Sequence, residues 1–294
     1  MSPESPCYAA AMAFKPRIAI VGPGRLGSAL AQELRRVGYR ITEIVSRNSV
    51  SSRHKARVLA KKVHATAAMD DPRLDADLIW LCVPDREIAK AARHLAQTTD
   101  WKGKIVFHSS GALASDELDV LRRRGAAVAS VHPLMTFVSA SVPSFHGISV
   151  ALEGDAKALR VAREIVHQLG ANVFQISKSK KSAYHAWGGF TSPLLIALLV
   201  TGEKVAHAAG ISRVDARKRM LPIVRQTLAN YAKLGPAGAF SGPIVRGDAR
   251  VVRKHVKELR KIPGAKDVYL ALARAGLRYL PLRNRKELEK LLKP

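Results

Sequence analysis

Lys181, Tyr184 and His185 stand at i, i+3 and i+4, so a helix through them carries an amine, a phenol and an imidazole on one face. Those groups donate and accept protons, which is the work of general acid–base catalysis. Lysine or tyrosine is the expected acid. Each group also has an ordinary structural use: Lys181 as a surface charge at a domain start, His185 as a satisfied interior histidine. Gly188, Gly189 and Ser192 continue the same face, small enough for a planar ring to approach the backbone. Two more polar segments follow apolar runs directly: His108-Ser-Ser-Gly-Ala112 and His132-Pro-Leu-Met-Thr-Phe137. His108 and Ser109 are expected to hold the polar end of a substrate. A histidine just past a strand can equally tie its loop to the backbone, and that alternative stands for both His108 and His132.

A second constellation lies near the start. Arg17-Ile-Ala-Ile-Val21 runs into Gly22-Pro-Gly-Arg-Leu-Gly27 and then an amphipathic stretch with Leu26, Leu30, Leu34 and Val37. Strand, G-x-G-x-x-G turn and helix together form the geometry that a dinucleotide pyrophosphate requires. Gly22 permits the turn, Gly24 admits the phosphates, and Gly27 lets helix and strand pack closely. Arg25 and Leu26 lie within this turn, with the phosphates facing the positive end of the helix. The next strand, residues 40–45, ends at Ser46-Arg-Asn-Ser49, where an NAD site usually carries an acid for the ribose 2′-OH. Here a cation and hydroxyl or amide donors stand instead: Arg47 with Ser46, Asn48 and Ser49 suit a 2′-phosphate. Glu43, the nearby acid, lies inside the strand. NADP is therefore expected rather than NAD, with Val83 and Pro84 lining the same cleft.

The elements that must position these groups follow from periodicity. Strand and helix patterns alternate over residues 15–177, the signature of a parallel sheet covered by helices. Residues 77–83 form a nearly continuous apolar run suited to a central strand, and Asp85 can cap the helix after it. From Lys178 the pattern is helical throughout, with Pro193 expected to kink the first long helix. Three parts result: a disordered leader (1–14, with Met12 an alternative start), a dinucleotide-binding domain (15–177) and a helical substrate and dimerisation domain (178–294). Arg246 precedes a helix that Asp248 can cap, and it reads either as an anion clamp or as half of an Arg–Asp pair.

Composition narrows the partners. Cys7 and Cys82 make no disulfide framework, so a reducing cytoplasm is the default. The longest apolar run, residues 194–200, is too short to span a bilayer, so no membrane is expected. The net charge of +26 raises nucleic acid, but the cations are dispersed and aromatics make up only 5% of the chain, which disfavours it. Such a surface also steers anionic ligands.

Beyond these readings, the chain resembles a bacterial family with a Rossmann-like domain followed by a helical domain of unknown function. That family is related to pyrroline-5-carboxylate reductase and the deazaflavin-dependent NADP oxidoreductases, within the β-hydroxyacid dehydrogenase clan. The resemblance rests on the glycine turn, Val83-Pro-Asp85, His108-Ser-Ser-Gly111, His132-Pro-Leu134 with Thr136-Phe137, Tyr184-His-Ala186 and Ser241-Gly-Pro-Ile-Val-Arg-Gly-Asp248. It implies a doubly wound, mostly parallel α/β Rossmann sheet, an all-helical C-terminal domain and pairing of two copies through that domain. The clan places a catalytic lysine at the start of the long helix with polar partners three and four residues on; Lys181, Tyr184 and His185 are similar in spacing, though not in identity. Pro193 stands where relatives usually have asparagine, and Ser241 where they usually have threonine.

Two functions follow. The first is an NADP-dependent oxidoreductase acting on a small anionic carbonyl, imine or hydroxyacid. The alternative is a non-catalytic NADP(H)-binding sensor or partner module, to which Pro193 lends support.

Overall fold

A computed structural model describes residues 15–69, 72–138 and 144–293. The expected leader at 1–14 lies outside them. In chain order the sheet unit comprises β1 (Ile18–Val21), α1 (Arg25–Arg36), β2 (Ile41–Val45), α2 (Val50–Val63), β3 (Thr66–Ala68), β4 (Leu78–Leu81) and α3 (Asp85–Leu95). It continues with β5 (Ile105–His108), a 3-10 turn (Ser115–Leu118), α4 (Asp119–Arg122), β6 (Ala127–Pro133), β7 (Ser149–Gly154), α5 (Ala156–Gln168) and β8 (Asn172–Gln175). After a second 3-10 turn (Lys178–Lys180) comes α6 (Lys181–Thr191).

Among the described residues eight strands form one sheet in the order β3-β2-β1-β4-β5-β6-β7-β8. This is the doubly wound, mostly parallel α/β arrangement, with one antiparallel pair, β6 against β7. β1 and β4 are buried along their whole lengths, which explains their unbroken apolar runs. Two apolar cores cover the sheet. One packs α1, α2 and α5; the other packs α3 and the segment around Leu118 and Leu121. The chain reverses its winding between β1 and β4, so the crevice at their C-terminal ends is where an open α/β sheet receives ligands. α3 begins at Asp85 with Pro84 at its cap position. Asp85 is thus a first-turn acid that favours the helix dipole, not the capping side chain expected.

Residues through Gly189 form this compact unit, and residues from Phe190 form a second. The expected boundary at Ser177 marks where strand gives way to helix. The second unit holds α7 (Pro193–Ala208), α8 (Arg213–Ala239), α9 (Pro243–Arg246), α10 (Ala249–Leu259), α11 (Ala265–Tyr279) and α12 (Arg285–Leu291). Ser192 leaves helical geometry and Pro193 opens α7, so the long helix is broken there rather than merely bent. Asp248 caps α10 by accepting from the Val251 N–H. Arg246 is exposed and has no ion pair among the described residues, so the Arg–Asp pairing is not formed. The basic residues 283–293 include α12, because Leu288 and Leu292 close the small core of α10 and α11.

Candidate functional site

The glycine turn sits at the crevice between β1 and β4. Gly22 has φ +105°, and a Cβ there would lie 2.6 Å from the Cys82 carbonyl oxygen. A Cβ on Gly27 would lie 2.1 Å from the Gly22 carbonyl oxygen, so no other residue fits that contact. Gly24 is exposed and looks into open space, with nothing nearer a Cβ than the Cys82 carbonyl at 3.9 Å. The first turn of α1 carries no side-chain cap and no acid, leaving its N–H groups to a ligand. Arg25 is exposed beside it, and Leu26 packs partly onto the core.

At the end of β2 the Ser46 hydroxyl is buried with no hydrogen-bond partner among the described residues. Such an orphan is costly unless a ligand satisfies it. Arg47 and Asn48 are exposed next to it, while Ser49 is committed to capping α2 through the Ser52 N–H. Glu43 accepts from the Leu74 N–H at 3.1 Å and is buried, so its carboxylate is spent inside the fold. Val83 is half-buried and Pro84 exposed at the end of β4. These residues fit a dinucleotide: a phosphate cradle, a hydroxyl unpartnered among the described residues and an exposed cation in succession.

The strand ends of β5 and β6 carry the remaining groups. His108 does not face a ligand. It is fully enclosed, its Nε2 lies 2.9 Å from the Ala114 carbonyl and its Nδ1 accepts from the Ser110 N–H at 3.1 Å. Burial pushes it down to about 4, so it stays neutral and ties the 109–114 loop together. The substrate-holding role expected of His108 is thus replaced by the loop-tying one. Ser109 is half-buried, and its hydroxyl accepts from the Trp80 indole N–H at 2.8 Å.

α6 packs with the sheet unit and brings its polar face to this loop. Lys181 is only 1% exposed. Its Nζ donates to Ser130 Oγ at 2.6 Å and to the Ser110 carbonyl at 3.1 Å, which leaves one ammonium N–H without a protein partner among the described residues. Burial lowers its pKa to about 8, opposed by the charges of Glu153 and Asp85. Lys181 is therefore no surface charge.

Tyr184 is buried, and its hydroxyl lies 2.6 Å from His132 Nδ1. Burial raises the phenol to about 12 and lowers the His132 imidazole to about 4, with Lys181 and His185 adding to the latter. At neutral pH the phenol is thus the donor and Nδ1 the acceptor, which puts the imidazole proton on Nε2. His185 is exposed, its ring 6.2 Å from that of His132. A Cβ on Gly111 would fall 2.7 Å from the His185 ring and 2.8 Å from His132 Nε2, so any side chain there would displace the imidazoles. Sequence reasoning left His132 without a role and passed over Ser130 and Ser110. The available signal was Ser130 itself, a lone hydroxyl in the otherwise apolar run Ala126-Ala-Val-Ala-Ser-Val131.

Comparison with known proteins bears on this arrangement. A Rossmann-like domain family matches residues 6–133, and the family described as Domain of unknown function (DUF2520) matches residues 148–275. The chain joins a Rossmann-like domain to a DUF2520 domain. These are the two parts that the sequence motifs resembled. A glycerol-3-phosphate dehydrogenase [NAD(P)+] of Streptococcus equi subsp. zooepidemicus is 35% identical over 109 residues, covering 34% of this chain and 32% of the relative. The chain thus spans about a third of the length of that curated relative. Two solved structures share the fold over most of their length. A Bacteroides fragilis protein, provisionally named an NADP oxidoreductase, has TM-score 0.74 at 22% identity over 89% of this chain and 97% of its own. An imine reductase from Pseudomonas sp. has TM-score 0.62 at 18% identity over 90% of this chain and 94% of its own.

Proposed function

We propose that this Rossmann–DUF2520 protein is an NADP-dependent oxidoreductase. Its substrate would be a small anionic carbonyl, imine or hydroxyacid. The observation that carries this reading is the convergence, at the C-terminal ends of β1, β4, β5 and β6, of an open glycine cradle with a lysine, tyrosine and histidine cluster. The oxidoreductase names of the relatives agree with it. Bound NADP would supply hydride exchange at its nicotinamide; the protein's part is to hold the partner, exclude water and manage one proton. Gly22, Gly24 and Gly27 with the start of α1 would hold the pyrophosphate, and Ser46, Arg47 and Asn48 the 2′-phosphate.

Among the acid–base groups, His185 is exposed and Lys181 keeps one ammonium N–H without a protein partner among the described residues. Tyr184 fixes the His132 tautomer. The Lys181 ammonium lies beneath, positive below its pKa of about 8, where it attracts an anionic substrate and provides the proton. The deciding experiment is a panel of small carbonyls and imines tested for NADPH oxidation. NADPH binding without turnover on any of them would favour the non-catalytic reading, which the helix break at Pro193 also suits.

Cofactor choice has its own test. Arg47→Ala weakens NADPH by ~1.5–3 kcal/mol, the worth of a charge-assisted hydrogen bond, and leaves NADH almost untouched. Equal losses in titrations with the two cofactors would assign Arg47 to open solvent.

The second unit supports a homodimer. Apolar side chains stand in the open on Phe190 at the end of α6 (71% exposed), Ile196 of α7 (59%) and Ile223 of α8 (67%). Large apolar patches left open on a protein mark interaction sites. The stretch Lys178–Ala208 is long and apolar enough to cross a membrane by length and composition alone, but it breaks at Ser192, and Lys181 at its start is anchored to β6. Sedimentation at tens of micromolar should give twice the chain mass, and Ile223→Asp should return it to one. A monomeric wild type would count against pairing.

A further inference from the structure

Three neighbouring strands place a row of polar side chains under α6. In the sheet register His108 of β5 faces Ser130 of β6, and Ser130 faces Glu153 of β7. Residues opposite one another in adjacent strands project from the same face, so the three lie side by side. All are buried, Glu153 at 4% exposure. The amine that reaches this row belongs to Lys181, bonded to Ser130 at 2.6 Å. Among the described residues Lys181 is the only buried lysine or arginine.

Both oxygens of the Glu153 carboxylate are already hydrogen-bonded. One carboxylate oxygen accepts from the Ser115 N–H and the other from the Ser115 hydroxyl, both at 2.7 Å. Ser115 Oγ in turn accepts from Arg122 at 3.1 Å. Arg122 is largely neutralised elsewhere, by Asp155, Asp116 and Asp119. A carboxylate taken out of water at this depth is expensive without a cation to face it.

We propose that Glu153 is the buried counter-charge of Lys181, a positioning residue that keeps the amine protonated beneath the site while Ser130 holds it in place. Its meaning for catalysis rests on the function proposed above; the pairing itself does not. Other charges facing the amine are Asp85 at the start of α3, which acts in the same sense, and His108 and His132, which oppose it when protonated. On the far side Lys178, paired with Asp116, also faces Glu153.

The test reads the amine directly. Protein labelled with carbon-13 at lysine Cε is titrated by NMR, the Lys181 signal being identified by its loss in Lys181→Met. Glu153→Gln, close to isosteric, should lower the Lys181 midpoint by about one pH unit or more. Glu153→Asp, which restores the charge, should bring most of it back. An unmoved midpoint in folded Glu153→Gln overturns the proposal. Should that variant fail to fold, the reciprocal measurement serves: in Lys181→Met the Glu153 carboxylate must titrate at higher pH than in wild type, and an unchanged value overturns the proposal equally. Turnover separates the two readings. A shifted amine midpoint with an unshifted alkaline limb of kcat upholds the counter-charge while removing Lys181 from proton donation.

Discussion

Lys181→Met is expected to cut turnover by about a hundredfold or more while leaving NADPH affinity nearly unchanged. The methionine fills much of the same buried volume, so the variant isolates the amine from its packing. What it removes is a cation held by Ser130 and the Ser110 carbonyl, far from the glycine turn and Arg47 in sequence and role. Cofactor titration and turnover therefore respond differently, and that split distinguishes lost chemistry from lost folding. The pH dependence carries a sign as well. The ammonium is the active form, so kcat should hold below pH ~8 and fall as pH rises through it. Tyr184→Phe should give a smaller loss, because it frees the His132 tautomer without removing the imidazole. Full activity of the Lys181, Tyr184 and His185 variants on an identified substrate would place the chemistry elsewhere.

The parts of this site that were legible in the sequence are those whose physics is local. A β-branched run, three glycines at fixed spacing and an amphipathic helix specify strand, turn and helix within a few residues, and Gly22 and Gly27 prove to be held by contacts within and beside that turn. The continuous apolar run of β4 likewise announced its burial on both faces. Direction was less legible. β7 reads as an apolar strand whichever way it runs, and its antiparallel pairing depends on a connection from β6 that contains no helix among its described residues. α12 was hidden by its charges, because two leucines suffice to dock a seven-residue helix.

The roles of His108 and Lys181 were beyond local reading for a different reason. A histidine after a strand looks the same whether its nitrogens meet a ligand or the backbone, and only the distances to Ala114 and Ser110 decide. Lys181 begins a helix like any solvated lysine. Its burial follows from Ser130, fifty-one positions earlier, lying across the register from Glu153. Long-range pairing of that kind has no signature in a single stretch of sequence. It is also what turns a surface-like cation into a titrating group.

Gly24→Val should abolish NADPH binding, a loss of at least about a hundredfold in Kd, without unfolding the protein. Gly24 lies at φ −76°, a conformation open to any residue, and a Cβ there meets nothing closer than 3.9 Å. The side chain instead fills the space over the first turn of α1, where the pyrophosphate would approach the N–H groups. Loss of glycine from the cap position costs about 1 kcal/mol or less, so the thermal midpoint should move by only a few degrees. Gly27→Ala supplies the contrast. Its new Cβ would stand 2.1 Å from a backbone carbonyl, which forces α1 away from β1 and costs roughly 1–3 kcal/mol of overpacking strain. One glycine thus reports on the ligand and the other on the fold. If Gly24→Val binds NADPH as wild type does, the open cradle at the end of β1 is not where the dinucleotide sits, and the proposed cofactor site fails however well the fold agrees.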